Sequence, residues 1–245
     1  MLLIIAAAAL ETRQLRRRMR PVADSDQQLF RGTTAAGRQT RLLLTGIGPT
    51  STAINLTRFL ERETPQAVVM IGCGGSYPHS GLRVGDLALA TEEIFGDLGV
   101  MTDQRFLPLD QLEIPLTPPP VQRIKLENGL MQAVAALLRT ALEEQPNRLR
   151  CGPLVTVSTC SGQPRLSREL EARTNGICEN MEGAAAAQAC ALYRLPFLEL
   201  RGISNPTGTR DPEQWDLPRG AGAAQWGLDR ILDHWPQLEK TLCRS

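Results

Sequence analysis

The stretch from Cys178 to Asn205 constrains this chain most: a short segment, an alanine-rich segment and an apolar segment follow one another with almost no linker. Cys178-Glu179-Asn180-Met181-Glu182-Gly183 reads as a strand closing and a helix opening, and Ala185, Ala186 and Ala189 make a helix face small enough to lie close on a sheet. Glu182 then sits near the positive end of that helix, where a carboxylate stays ionised and can accept two hydrogen bonds at once. The vicinal hydroxyls of a ribose are such a donor pair. Phe197 to Ile203 is apolar enough for a central strand, and Ser204-Asn205-Pro206 ends it, because proline stops pairing and turns the chain. Asn205 is thus a polar group at the carboxyl end of a buried strand, where ligands of open α/β sheets bind.

The rest of the chain alternates in the same way. Leu2 to Ala9 is a continuous apolar run, as a strand buried on both faces requires, and good helix formers from Leu10 to Met19 follow until Pro21. Arg16, Arg17, Arg18 and Arg20 point in different directions around such a helix, so they read as a solvated face and not as a phosphate clamp. Residues 22–40 read as a hairpin with Gly32 and Gly37 as turn formers. A strand at Arg41 to Thr45 then leads through Gly46-Ile47-Gly48 into a helix from Thr50 to Glu63, with Ala53, Leu56, Phe59 and Leu60 on one face. That Gly-x-Gly lets backbone N–H groups approach a ligand, but no third glycine stands at dinucleotide-fold spacing.

Ala67 to Ile71 is a short buried strand, and the glycines of Gly72-Cys73-Gly74-Gly75-Ser76 read as a loop whose backbone can touch something flat. Gly85-Asp86 is a turn before another strand, residues 91–127 are loop-rich, and Pro115 with Pro118 to Pro120 makes an extended segment. Later elements are a helix from Gly129 to Glu144, a strand from Gly152 to Thr159, a short helix from Leu166 to Ala172, and a closing helix from Gly220 to Trp235. Trp226, Leu228, Ile231 and Leu232 are the expected buried face of that last helix. The fold class is α/β: one three-layer α/β/α domain over residues 1–245 around a central twisted mixed sheet.

Composition narrows the function. At 245 residues with a formal net charge of +1, the chain suits one domain and offers no global attraction for nucleic acid or an anionic membrane. A small molecule is the expected partner. Six cysteines without a C-x-x-C pair fit buried thiols in a reducing cytosol, so a cytoplasmic protein is expected. Two histidines do not combine with the cysteines into a spaced metal cluster, so neither a metal nor a cofactor is expected. The apolar run at Leu2 to Leu10 is too short to cross a bilayer.

Asn180-Met181-Glu182-Gly183-Ala184 paired with Arg201-Gly202-Ile203-Ser204-Asn205 resembles the purine nucleoside phosphorylase and nucleosidase superfamily, which splits the N-glycosidic bond of nucleosides. In its methylthioadenosine nucleosidases the last position of the second motif is aspartate. Asn205 at that place, with Arg210-Asp211 after it, is more similar to the futalosine hydrolases of menaquinone biosynthesis. That resemblance implies a homo-oligomer that releases hypoxanthine from futalosine, with methylthioadenosine or adenosylhomocysteine hydrolysis and phosphate-dependent phosphorolysis as alternatives. From another class, a silent nucleoside-binding protein would keep Glu182 and the Gly-rich segment without needing Glu11.

Carried over residue by residue, the resemblance makes Glu11 the water-activating glutamate, and Gly74 and Gly75 contacts of base and ribose. It places Cys160 and Met181 against the nucleoside and Glu182 on the ribose hydroxyls. For Cys160 a buried apolar thiol and a wall of the base site are physically similar, and neither makes it a nucleophile. Arg210 is a candidate contact for a carboxylate or the purine, or one half of a local pair with Asp211. Phosphorylases of the superfamily typically use an arginine ahead of the Gly-rich loop, where this chain has Val69-Met70-Ile71. An apolar triplet cannot compensate a desolvated phosphate dianion, so water is the expected nucleophile. An aspartic acid at position 205 would protonate purine N7 and accept from a 6-amino group, whereas an amide donates to N7 or to a 6-oxo group, which favours a 6-oxopurine.

Overall fold

The computed structural model describes residues 1–23, 25–112, 121–126 and 128–244. The first half contains β1 (Leu2–Ala6), α1 (Arg13–Arg16), β2 (Arg20–Pro21), β3 (Leu29–Thr33), β4 (Gln39–Leu44), α2 (Pro49–Leu60), β5 (Ala67–Ser76), β6 (Leu87–Phe95), β7 (Gly99–Met101) and β8 (Phe106–Pro108). After it come β9 (Arg123–Lys125), α3 (Gly129–Leu142), β10 (Leu149–Thr156), α4 (Pro164–Thr174), β11 (Cys178–Asn180), α5 (Gly183–Leu192), β12 (Phe197–Pro206), α6 (Leu217–Asp233) and α7 (Trp235–Leu238).

Among the described residues, ten strands form one mixed sheet in the order β11-β10-β6-β12-β5-β1-β4-β3-β2, with β9 on β6. Alternation along the central strands divides the core into two. Ile4, Leu42, Val69 and Leu200 face α3, α6 and Trp235 on one side, while Leu3, Leu43, Val68 and Met70 face α2 and α5 on the other. This is the expected three-layer α/β/α arrangement. At one end β11 also pairs antiparallel with β5, through Cys178 with Ser76 and Glu179 with Gly75, so the sheet closes on itself there. The carboxyl ends of β5, β11 and β12 are thereby drawn together.

Several elements differ from expectation. The glycine-rich segment after Ile71 is not a loop: β5 continues to Ser76 because β12 pairs with it in parallel from Val68 to Ser76. The glycines are needed for proximity instead. A Cβ at Gly74 would lie 2.3 Å from the Cys178 sulfur, and one at Gly75 would lie 2.8 Å from Thr207. Likewise Pro206 does not end β12, since it still faces Ser76, and a register shift between Ile203 and Asn205 bulges the strand before it. The helix expected at 10–19 is one turn, because the Gln225 side chain takes the Gln14 and Leu15 N–H groups at 2.7 and 3.2 Å and the chain then turns so that Met19 packs on Gly32. Gly32 therefore lies in β3, and Gly37, with φ 77°, makes the turn alone.

In the 91–127 region β6 reaches Phe95 and a small hairpin, β7 with β8, follows; Pro115 and Pro118 to Pro120 lie outside the described residues. Ala53 and Trp226 are half-buried, and Trp235 is the fully buried aromatic of the last helices. Cys178 and Cys190 are buried, but Cys73 and Cys151 are half-buried and Cys160 is exposed, so the expectation of buried thiols fails at these three; Cys73 and Cys160 border a cavity. Arg18 pairs with Asp229 at the surface, in keeping with a solvated arginine run. No described helix is long and apolar enough to cross a membrane.

Helix α6 docks on β12 by glycine contact: a Cβ at Gly202 would sit 1.9 Å from the Gly220 carbonyl oxygen. Backbone cannot move aside as a side-chain tip does. Gly202→Ala is expected to lower stability by about 2 kcal/mol or more, read as a reduced urea midpoint at unchanged m-value.

Candidate active site

Where β5, β11 and β12 converge, a cavity of about 330 Å³ opens, and all the candidate site residues line it: Glu11, Gly74, Gly75, Cys160, Met181, Glu182, Asn205 and Arg210. Glu11 and Glu182, far apart in the chain, thus face one cavity.

The short turn after β1 carries Glu11, whose carboxylate bridges two elements. Its Oε2 accepts from the Ala8 N–H at 2.9 Å and its Oε1 from the Cys73 N–H at 2.8 Å. Burial pushes its pKa above the ordinary 4.5, while Arg201 and the two N–H donors pull it part of the way back. A carboxylate so poised is a stronger base than an exposed one, as proton abstraction from water needs.

Glu182 is the residue just ahead of α5 and is buried. Its Oε1 accepts from the Gly48 N–H at 3.1 Å and its Oε2 from the Arg201 guanidinium at 3.1 Å. The Gly46-Ile47-Gly48 turn, with both glycines at positive φ, therefore aims an N–H at the protein's own carboxylate. A carboxylate has about four acceptor positions, so lone pairs remain for hydroxyl donors from the cavity. Asn180 anchors the junction: its Oδ1 accepts from the N–H groups of Glu182 and Gly183 at 2.9 and 2.8 Å and from the Thr156 hydroxyl at 2.9 Å.

Arg201 lies beneath both glutamates, 1% exposed in the middle of β12. It donates to Glu199 at 2.6 Å, to Glu182 at 3.1 Å and to the Cys73 carbonyl at 3.1 Å. Burial alone would lower its pKa, but the charges of Glu199, Glu182 and Glu11 outweigh that and hold it well above the usual value. Arg201, Asn180 and Glu179 have no assigned role in the sequence reading. The signal for Arg201 is a charged residue inside an otherwise apolar strand, since such a residue must be paired when buried. Glu179 holds the loop that carries Cys160, accepting from the Ser161 N–H at 2.9 Å and hydroxyl at 2.6 Å and from Tyr77 at 3.2 Å.

The bulge in β12 turns the consecutive residues Ser204 and Asn205 both toward the cavity. Ser204 donates its hydroxyl to Asn205 Oδ1 at 2.8 Å, and Asn205 Nδ2 donates to the Pro206 carbonyl at 3.0 Å. The amide is thus held in one orientation with its second N–H left over. Arg210 packs its stem on Gly162 and lies over the Trp215 ring, 4.3 Å from the centroid, so its contact is with Trp215 and not the local Asp211 pair. Exposed at the cavity mouth yet partly desolvated by its surroundings, the Cys160 thiol is pushed up by that desolvation and by Glu179, so it stays neutral and acts as a wall. Among the described residues no group of three or more His, Cys, Asp or Glu is placed to hold a metal ion.

This constellation has relatives. The family model described as "Phosphorylase superfamily" matches residues 2–232. The chain belongs to the phosphorylase superfamily. This superfamily member is 33% identical to the futalosine hydrolase of Streptomyces coelicolor over 211 residues, 81% of this chain and 82% of that one. It is 30% identical to the futalosine hydrolase of Thermus thermophilus over 191 residues, 78% and 80% of the two chains. A 5'-methylthioadenosine/S-adenosylhomocysteine nucleosidase of Bacillus thuringiensis is 29% identical over 183 residues, 74% of each chain. Among solved structures, the corresponding nucleosidase of Colwellia psychrerythraea in complex with adenine superposes with a TM-score of 0.79 at 22% identity, covering 95% of this chain and 94% of that one.

Removing the cation that binds the superfamily member's buried glutamates is a severe test of this centre. Arg201→Met is expected to cost about 3–5 kcal/mol at pH 7 by urea denaturation, with the loss narrowing as the pH is lowered and the orphaned carboxylates take up protons.

Proposed function

We propose that this enzyme hydrolyses futalosine to hypoxanthine and dehypoxanthine futalosine. The chain is a nucleoside N-glycosidase, as its relatives are. What carries the substrate reading is Asn205, an amide that lines the cavity and is held by Ser204 and Pro206 with one N–H unengaged. An amide suits N7 or the 6-oxo group of hypoxanthine, and the similarity to two futalosine hydrolases points the same way.

Loosening of the ribosidic bond makes the sugar resemble an oxocarbenium ion, so three groups are required of the site. Glu182 accepts hydrogen bonds from the ribose hydroxyls and sets negative charge near the developing cation. Glu11, its pKa raised by burial, takes a proton from the attacking water. Asn205 has no acidic proton to give at this pH, so it stabilises the departing base by hydrogen bonding. Gly74 and Gly75 expose flat backbone beside it, Cys160 and Met181 wall the nucleoside, and Arg210 contributes a cation at the rim. Arg201 is already engaged by Glu199, Glu182 and Cys73, which disfavours phosphate as the nucleophile.

Incubation with futalosine, methylthioadenosine and inosine, each with and without phosphate, is expected to release hypoxanthine fastest from futalosine and independently of phosphate. Faster adenine release, or a need for phosphate, would reject this substrate. Glu11→Gln is expected to slow turnover at least about a hundredfold with ligand binding kept, the usual contribution of a general base. Since Glu11 must be ionised to act, kcat/KM is expected to fall as the pH drops through a value above the ordinary 4.5, and that acid limb should vanish in the variant.

A further inference from the structure

Two more carboxyl groups are buried behind the site, and the chemistry above makes no use of them. Glu93 on β6 and Glu199 on β12 are both 0% exposed. They converge on Gly183, the first residue of α5, where an added Cβ would lie 2.3 Å from Glu199 Oε2 and 2.4 Å from Glu93 Oε2. Only glycine leaves them room.

Their hydrogen bonding is incomplete in a particular way. Both oxygens of Glu93, Oε2 of Glu199 and Nδ2 of Asn180 are buried without a hydrogen-bond partner among the described residues. Glu93 adjoins both Glu199 and the Asn180 amide. Two carboxylates have no donor to offer each other. One proton on Glu93 removes the deficit: its hydroxyl donates to Glu199 Oε2, and its other oxygen accepts from Asn180 Nδ2. The charge then stays on Glu199, which has the Arg201 guanidinium at 2.6 Å.

We propose that Glu93 and Glu199 form a carboxyl pair holding a single proton on Glu93, and that this pair positions Arg201, and through it Glu182 and Glu11. The clause about Glu11 rests on its role as the base proposed above. Arg201 is gripped by Glu199 at Nε, and its other edge is thereby presented to Glu182 and the Cys73 carbonyl. Were every carboxyl here ionised, Arg201 would stand against Glu11, Glu93, Glu182 and Glu199 together, with no water to screen them. Burial and the Glu199 charge both push the Glu93 pKa far above the usual carboxylate range, in agreement with the geometry.

The other groups facing this cluster are Cys73 from β5, Cys178 and Glu179 from β11, and the Asn180 amide. Burial pushes the Cys73 thiol up to about 12 and the Cys178 thiol higher still, so neither adds charge at neutral pH. Glu179 is turned to Ser161 and Tyr77. Besides raising Glu93, Glu199 offsets Arg201, which leaves Glu11 a weaker cation to face and a higher pKa.

The test compares neutral substitutions at the two positions. Glu199→Gln is expected to move the acid limb of kcat/KM down by about 1 pH unit, because Arg201, then opposed by Glu182 alone of its two ion-pair partners, acts more strongly on Glu11. Glu93→Gln, a neutral donor like the protonated acid, is expected to keep the limb in place and kcat/KM within about threefold, whereas Glu93→Ala loses about tenfold by orphaning its neighbours. Infrared spectra of the substrate-free protein at pH 7 should show the carbonyl stretch of a protonated carboxylic acid that disappears in Glu93→Gln and survives in Glu11→Gln. Absence of that band, or an acid limb shifted as far by Glu93→Gln as by Glu199→Gln, would overturn the pair. If the wild-type protein does not hydrolyse futalosine, the substrate assignment fails while the infrared measurement still decides the pair.

Discussion

One buried guanidinium organises this structure. Arg201 sits in the middle of a central strand, and the N–H groups of its planar fork are answered from different parts of the chain: Glu199 from its own strand, Glu182 from the start of α5, and the Cys73 carbonyl from β5. A charge so deep in the protein is tolerated only with its partners in place, so those three elements are locked in register by the cost of separating them. Glu11 completes the arrangement by taking the Cys73 N–H, so the backbone N–H and carbonyl of one residue serve Glu11 and Arg201 together. The strand pairing and the geometry of the candidate site share one set of contacts.

Around that centre the backbone has been cleared for close approach. A Cβ at Gly72 would lie 2.5 Å from Arg201 and 2.7 Å from Glu11, while Gly74, Gly183 and Gly202 leave room for Cys178, the Glu93 and Glu199 carboxyls, and α6. These glycines stand in strands or at a helix start, where glycine weakens the element by conformational entropy. Their contribution is space for buried polar side chains, and the three-layer packing on both sides of the sheet offsets what they cost.

A gradient of polarity runs across the site. On one side stand Glu11, Glu182 and Arg201, all buried and hydrogen-bonded; on the other stand an amide, a neutral thiol and flat glycine backbone. Under the proposed reaction, charge concentrated on one side suits a sugar on which positive charge develops. Asn205 marks the other end, and its orientation depends on a hydroxyl supplied by the preceding residue, an arrangement available because the strand bulges at that point.

Much of this was legible in the chain itself. Alternating apolar runs and glycine or proline breaks were enough for the α/β class, and the Met181-Glu182-Gly183 and Arg201 to Asn205 motifs, by resemblance, located residues that do line one cavity. Local patterns report local geometry, and a motif reports its own neighbourhood. Pairing was not legible: β5 runs on through its glycines only because β12 lies alongside, and the first helix is one turn only because Gln225, distant in sequence, takes its N–H groups. The network around Arg201 was hidden for the same reason, since Glu93, Glu182 and Glu199 become partners only when β6, α5 and β12 are brought together. Sequence determined which residues are candidates for the site; tertiary structure decided which of them line one cavity and pair their charges, because those depend on distance and on exclusion of water, and neither exists until the sheet has closed.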